Sequence, residues 1–493
     1  MKFIMGKVIQ QGKISVSNSK SMYVKLLMAV AVGIIIWFIP TPAGVKTNAW
    51  HMFAIFVATI IGCILKPLPI GAVSMIGLTI TAATNTATIK VALSGFSQSS
   101  IWLIVMAFFI SRGFIKTGLG SRIAYEFVRL FGKKTLGLCY SVLFCDLAIA
   151  PATPSNTARA GGIVYPIVKS LSESFNSRPE DGTERKIGSF LIFSEFHGDI
   201  ITSAMFMTAM AANPLAQTLA ESLNVHITWF GWFLAALLPG IICFILVPLI
   251  IYKIYPLIIY KIYPPEIKAT PNAPEIAKEQ LKKMGPLTKE EKYMALIFII
   301  TLLLWVTGTI TKIDATLTAF IGLSLLLLLN VLNWNDIKSE KGAWDTLVWF
   351  SVLVMMANEL NELGFIPWFS KLIAGSVAGL SWQVILLVLI LAYFYSHYIF
   401  ASATAHVSAM YSAFLAVAIA GGIPPMLAAL TLGFFGNLFA STTHYSNGPA
   451  PLLFGSGYVS QNKWWSLNFI LGIFYIVVWL GIGPIWCHII GVY

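Results

Sequence analysis

The sequence predicts an all-α polytopic membrane protein, with about 11 transmembrane helices and two re-entrant helical hairpins paired as an inverted-topology repeat. Three observations carry this. Of 493 residues, 57% are hydrophobic and 11% charged, against roughly 25% charged in soluble domains. Apolar runs recur from Val24 to Ile490. A polar sentence also appears twice inside such runs. It reads Pro154-Ser155-Asn156-Thr157-Ala158-Arg159 and, about 247 residues later, Ala401-Ser402-Ala403-Thr404-Ala405-His406.

Spans of ~20 apolar residues are expected at 22–40, 48–65, 69–87 and 99–116. The first follows a Lys-bearing leader, but no small-residue cleavage site follows it. Trp37-Phe38-Ile39-Pro40 therefore argues for a retained span rather than a signal peptide. The segment 118–134, with Ile123, Phe127 and Leu130 beside Arg122 and Arg129, has the pattern of an amphipathic surface helix. The run 136–174 is long enough for two short helices, with Pro151 and Pro154 breaking it at the polar sentence. It is expected to enter and leave on one side.

Beyond it, 187–220 is expected to be a long helix interrupted between Ile201 and Pro214, followed by a span at 228–252. The polar segment 253–292 carries eight Lys against five acids. Its duplicated Tyr-Lys-Ile-Tyr-Pro, at 252–256 and 260–264, suggests an interfacial element. Spans at 293–312, 314–333 and 345–363 lead to the second hairpin, 382–421. A second broken helix at 425–458 is interrupted by Ser446-Asn447-Gly448-Pro449, and 464–489 is the last span. Basic residues mark the N-terminal leader and 253–292 as cytoplasmic, which sends the C-terminus outside and inserts the two hairpins from opposite faces. An inner-membrane, multi-pass location is expected.

The net charge of +12 reflects these loops. No aromatic-interleaved basic patch points to nucleic acid, and the lipid bilayer is the expected partner. Cys63, Cys139, Cys145, Cys243 and Cys487 are scattered without a CxxC and are expected to be small core residues. The chain has no HExxH, GxSxG or P-loop, so no cofactor, ATP use or covalent catalysis is expected.

The chemistry is expected where the four discontinuities meet. Ser155, Asn156 and Thr157 would sit at the first tip, and Ser402 and Thr404 at the second. Ser203 and Thr208 lie in one broken helix and Thr443, His444, Ser446 and Asn447 in the other. A helix beginning at a tip offers free N–H groups and a dipole that favours a carboxylate; the same residues would also serve as N-caps. Arg159 and His406 follow the tips at equivalent places and are expected to supply positive charge for an anion, since an intramembrane cation usually marks function. Glu195, His197 and Asp199 could form a metal or acid/base site. The stronger expectation is that they orient the broken helix or pair with a cation such as Arg159; Asp146, in the first hairpin helix, is expected to be internally paired. A transporter of small anions is the expected function.

These motifs resemble the divalent anion/sodium symporter superfamily. They are Pro-Ser-Asn-Thr-Ala, the second Ser-x-Thr-Ala, and Thr442 to Pro449 followed by Phe454-Gly455-Ser456-Gly457-Tyr458-Val459. The stretch Ser203 to Pro214 is similar to the 2-oxoglutarate/malate translocator branch, and the resemblance covers essentially the whole chain. It implies a homodimer in which each protomer has a scaffold and a mobile transport domain, moving a dicarboxylate by an elevator-type movement. The scaffold would be 1–98 and 228–344, the transport domain 99–227 and 345–463, and 464–493 the last transmembrane helix. Ala403 replaces the family's second-tip Asn, and Arg159 and His406 replace small or hydroxyl residues of sodium-coupled members. These departures lead to the expectation of a sodium-independent antiporter of C4/C5 dicarboxylates, 2-oxoglutarate against malate or succinate. The alternatives are a sodium-coupled dicarboxylate or citrate symporter and, in another class, an intramembrane metal-dependent enzyme.

Overall fold

The structure is a computed structural model describing residues 21–253, 265–377 and 379–493. Most of the leader and of the duplicated Tyr-Lys-Ile-Tyr-Pro lies outside the described residues.

The chain opens with α1 (Ser21–Phe38), α2 (Thr47–Leu65), α3 (Ile70–Ala83) and α4 (Ser99–Thr117). The amphipathic segment is α5 (Leu119–Phe131). The first hairpin is α6 (Thr135–Ile149), a 3-10 turn at Ala150–Ala152, an extended stretch through Pro154, a π-helical turn at Thr157–Val164, and α7 (Tyr165–Ser174). Pro151 and Pro154 lack the N–H that a continuous helix would need. The first broken helix is α8 (Gly188–Met205), a 3-10 turn at Met207–Ala209, and α9 (Ala212–Glu221). Next come α10 (Trp229–Lys253), α11 (Ala273–Met284), α12 (Lys289–Val306), α13 (Ala315–Leu328) and α14 (Lys341–Glu362). A helix the sequence reading did not place, α15 (Phe365–Val377), packs on the second hairpin. That hairpin is α16 (Trp382–Ser396), a turn, and α17 (Ala403–Ala420). The second broken helix is α18 (Pro425–Leu438), a 3-10 turn at Phe439–Ser441, an irregular stretch, and α19 (Pro449–Gly455). The chain ends with α20 (Gln461–Val477), a π-helical turn and α21 (Gly483–Ile489).

Eight helices among the described residues are long and apolar enough to cross a membrane. Three of them, at Thr135–Ala152, Trp382–Ile399 and Ala403–Ala420, are hairpin arms. Two expected spans are instead short, at Ile70–Ala83 and Ala315–Leu328, while 187–220 and 425–458 are broken as expected. The order of hairpin, broken helix and packed helix is the same in both halves, as the repeat demanded.

The halves interleave around the broken helices. α8 packs on α6, α10 and α18, and α9 on α17 and α18. At that junction Asn437 Nδ2 donates to Asn213 Oδ1 (2.7 Å). Asn213 Nδ2 in turn donates to the carbonyls of Ser203 (2.8 Å) and Phe206 (3.0 Å) at the break in α8, the second of which also accepts from the Ala209 N–H of the 3-10 turn (3.0 Å). The amphipathic α5 lies on α6 and α11. Arg122 grips both oxygens of Glu291 (2.7 and 3.1 Å) and the Gly285 carbonyl (3.0 Å), fixing α5 to the start of α12. All five cysteines are buried and unpaired.

Candidate functional site

Each hairpin arm restarts as a helix just after its tip, and each restart has the same cap. The Ala158 N–H donates to Ser155 Oγ (3.1 Å) and the Ala405 N–H to Ser402 Oγ (3.3 Å). The Arg159 N–H closes on the Ser155 carbonyl (2.9 Å), as the His406 N–H does on Ser402 (3.1 Å). The serines are therefore N-caps. Their oxygens accept from the helix while their hydroxyl protons remain available to an acceptor outside it. The first N–H groups of each helix, at Asn156 and Thr157 and at Ala403 and Thr404, are the ones that intrahelical bonding does not use.

The two tips meet. Ser155, Asn156, Thr157, Ser402 and Thr404 line one cavity of about 460 Å³, together with Asn447 of the second broken helix. Its size falls in the ~300–1,000 Å³ range of small-molecule sites. Asn447 Oδ1 accepts from the Ala450 N–H (3.0 Å), while its buried Nδ2 has no partner among the described residues. An unsatisfied donor on the wall of a cavity fits an anionic guest. Contact across the halves is tight. A Cβ on Gly448 would lie 1.9 Å from Thr157 Oγ1, so only glycine fits between the unwound segment and the first tip.

Five expected contact residues stand behind the wall instead. Ser203 Oγ accepts from Arg159 Nη2 (2.7 Å). Thr208 accepts from Trp229 Nε1 (3.0 Å) and donates to the Pro151 carbonyl (2.5 Å). Ser446 donates to the Thr443 carbonyl (2.8 Å), Thr443 Oγ1 accepts from the Tyr445 N–H (3.4 Å), and His444 Nδ1 accepts from Trp465 Nε1 (2.9 Å). Thr208, Thr443 and Ser446 thereby hold irregular backbone, which is the other reason for polar residues inside an apolar helix, while Ser203 and His444 bond the side chains of Arg159 and Trp465.

Arg159 and His406 are also placed differently from expectation: neither lines the cavity. The Arg159 guanidinium is fully buried. It donates to Asp146 Oδ1 (2.7 Å), Asp199 Oδ1 (2.7 Å) and the carbonyls of Thr153 (3.1 Å) and Ala209 (2.9 Å). Thr202 donates a further bond to Asp146. Two carboxylates against one guanidinium leave no surplus positive charge for a guest. One side chain thus ties together the hairpin arm, the tip and both sides of the α8 break.

His406 does the same work without charge. Its Nδ1 lies 2.9 Å from His397 Nδ1, and His397 Nε2 lies 2.8 Å from the Ser446 carbonyl. A carbonyl only accepts, so His397 Nε2 carries the proton. His397 Nδ1 is then the acceptor and His406 Nδ1 the donor, an arrangement that needs no charged ring. Both rings stack against Phe439. His397 was not among the expected site residues; only the fold brings it from the first arm to the second.

Glu195, His197 and Asp199 do not converge. His197 bonds Tyr475 (2.9 Å) and Asn468 (3.0 Å), while Asp199 pairs with Arg159. Among the described residues, no group of three His, Cys, Asp or Glu could hold a metal ion. The sequence reading also missed Tyr445 beside Asn447 and, from outside the four discontinuities, Lys66 at the end of α2 and Thr346 on α14, all of which line the cavity. No spacing in the sequence joins Lys66 or Thr346 to the tips.

The family described as the sodium:sulfate symporter transmembrane region matches residues 20–493. A provisionally named malate transporter, YflS, of Bacillus subtilis (strain 168) is 60% identical, covering 95% of this chain and 97% of the relative. The chloroplastic dicarboxylate transporter 1 of Spinacia oleracea is 49% identical, covering 95% of this chain and 81% of that protein. An L-tartrate/succinate antiporter of Escherichia coli is 38% identical, covering 94% and 98%. Among solved structures, the YdaH transporter of Alcanivorax borkumensis shares the fold at a TM-score of 0.57 and 13% identity, over 84% of this chain and 89% of that one.

Proposed function

The chain belongs to the sodium:sulfate symporter transmembrane family, a family of multi-pass membrane transporters rather than enzymes, and from that premise we propose that it is a sodium-independent antiporter of C4/C5 dicarboxylates. The exchange is 2-oxoglutarate against malate or succinate, and the movement is of elevator type. The protein works as a homodimer in the inner membrane, with its N-terminus cytoplasmic and C-terminus outside. The hairpins and broken helices (99–227 and 345–463) form the mobile body, 1–98 and 228–344 the scaffold, and 464–493 the last transmembrane helix.

One observation carries this reading: the two tips share one cavity, each presenting a capped helix start and free hydroxyls. A carboxylate of the guest takes donors from Ser155, Asn156 and Thr157, and the other end from Ser402, Thr404 and Asn447. The names of the dicarboxylate and tartrate/succinate relatives support the substrate class. Sodium independence is supported by what stands behind each tip. The Arg159 cluster and the His397–His406 pair join tip, arm and broken helix, which is the work a coordinated cation would otherwise do. Charge compensation for the guest is not assigned to either of them.

Exchange in proteoliposomes tests the proposal. Labelled succinate should enter only vesicles preloaded with a dicarboxylate, at the same rate with sodium or potassium outside. Uptake into empty vesicles that rises with external sodium would establish the symporter instead.

A further inference from the structure

Among the described residues, the cavity that is to hold a dianion has one charged side chain in its lining, and it belongs to neither hairpin nor to either broken helix. It is Lys66. Arg159 spends its charge on Asp146 and Asp199, so the guest needs another counter-charge. We propose that Lys66 is the fixed cation that selects doubly charged over singly charged substrates; the assignment rests on the dicarboxylate reading above.

Its placement is built by the end of α2. Cys63 and Lys66 both line the cavity, so this helix presents its C-terminal end there. That end carries the negative pole of the helix dipole, which would repel an anion. Lys66 covers that pole and reverses its sign. Its N–H donates to the Gly62 carbonyl (2.9 Å), and its backbone is left-handed, at φ 49° and ψ 55°. Glycine or asparagine normally takes such a position, because a Cβ there costs ~1–2 kcal/mol. Of the six non-glycine residues with positive φ in the described chain, four are asparagines; Lys66 and Lys312 are the others. Lys66 makes no ion pair among the described residues. Its ammonium is thus free for a ligand.

The consequence is a division of labour. The tips recognise carboxylate shape through hydroxyl and N–H donors, and Lys66 counts charge. Two neutral variants remove the charge without straining the turn: Lys66→Asn and Lys66→Gly both suit the left-handed backbone. Lys66→Arg keeps the charge. In counterflow vesicles loaded with succinate, external succinate and its monomethyl ester compete for exchange. Lys66→Asn and Lys66→Gly should raise the half-saturating succinate concentration about tenfold or more, the scale of one lost charge contact in a partly hydrated site. Inhibition by the monoester should move much less, so the preference for the dianion narrows. Lys66→Arg should keep both values near wild type. Either neutral variant, folded and retaining the wild-type ratio of succinate to monoester, would overturn the assignment. A wild-type protein that exchanges no dicarboxylate would instead sink the substrate reading on which it rests.

Discussion

The two halves of the site have the same backbone plan and different chemistry. Behind the first tip stands an ionic cluster, Arg159 with Asp146 and Asp199. Behind the second stands a stacked pair of histidines, His406 and His397, ending on a carbonyl. Each arrangement runs from the helix after the tip, to the first hairpin arm, to the broken helix. The comparison separates what the architecture requires from what it leaves open. A polar bridge at that place is required, because two interrupted helices expose backbone groups that lipid cannot satisfy. Ionisation of the bridge is not. The equivalent positions therefore do not make Arg159 and His406 a matched pair of charges facing a guest.

The largest expected effect comes from breaking the ionic bridge. Arg159→Ala leaves two buried carboxylates without their partner, a cost of ~3–5 kcal/mol. His406→Ala leaves one imidazole nitrogen of His397 unsatisfied, about 1–3 kcal/mol. Thermal melting of purified protein in detergent should show the first variant far less stable than the second. Arg159→Ala should also abolish exchange. Equal losses in melting temperature would mean that the two bridges are energetically alike and the contrast between the halves is only chemical decoration.

A smaller effect tests how the halves touch. Gly448→Ala should place a methyl group into Thr157 Oγ1, and overpacking of this kind costs ~1–3 kcal/mol. Exchange should fall with it, because the first tip is displaced from the cavity. Thr157→Ala on the same chain removes the clashing oxygen and should restore the melting temperature. It should not restore substrate affinity, since the hydroxyl is lost. Restored affinity would remove Thr157 from the binding set.

What the sequence made legible follows from where polarity interrupts apolar runs. The tips and both broken helices were visible because each puts polar groups where lipid or core forbids isolated ones, whereas pairing with Arg159 was only one of the roles open to Glu195, His197 and Asp199. The short helix α15 was not visible, because 13 residues fall below the length of a span. Six polar residues in the broken helices were read as ligands, and five of them stand behind the cavity wall. In sequence a hydroxyl that binds a guest and one that binds an orphan carbonyl are the same signal. His397 and Lys66 could not be paired with the site by spacing at all. One is brought in by hairpin closure, the other by the packing of α2 against α17.

The smallest expected effect bears on what the halves truly share. Ser155 and Ser402 cap their helices through the same bond, N–H of the third residue to Oγ, at 3.1 and 3.3 Å. Loss of an N-cap hydroxyl costs ~1 kcal/mol wherever it occurs. Ser155→Ala and Ser402→Ala should therefore lower the melting temperature by similar small amounts, despite the different bridges behind them. Both should also weaken succinate binding, because the hydroxyl proton offered to the guest goes with the cap. Ser→Gly at either position separates the roles: glycine retains most of an N-cap's stability but offers no hydroxyl. If Ser155→Gly and Ser402→Gly keep both the melting temperature and the half-saturating succinate concentration, the serines are caps alone. Recognition would then rest on the backbone N–H groups, Asn156, Thr157, Thr404 and Asn447. If stability is kept and affinity falls at both, the repeat has conserved one binding element twice while letting its supporting chemistry diverge.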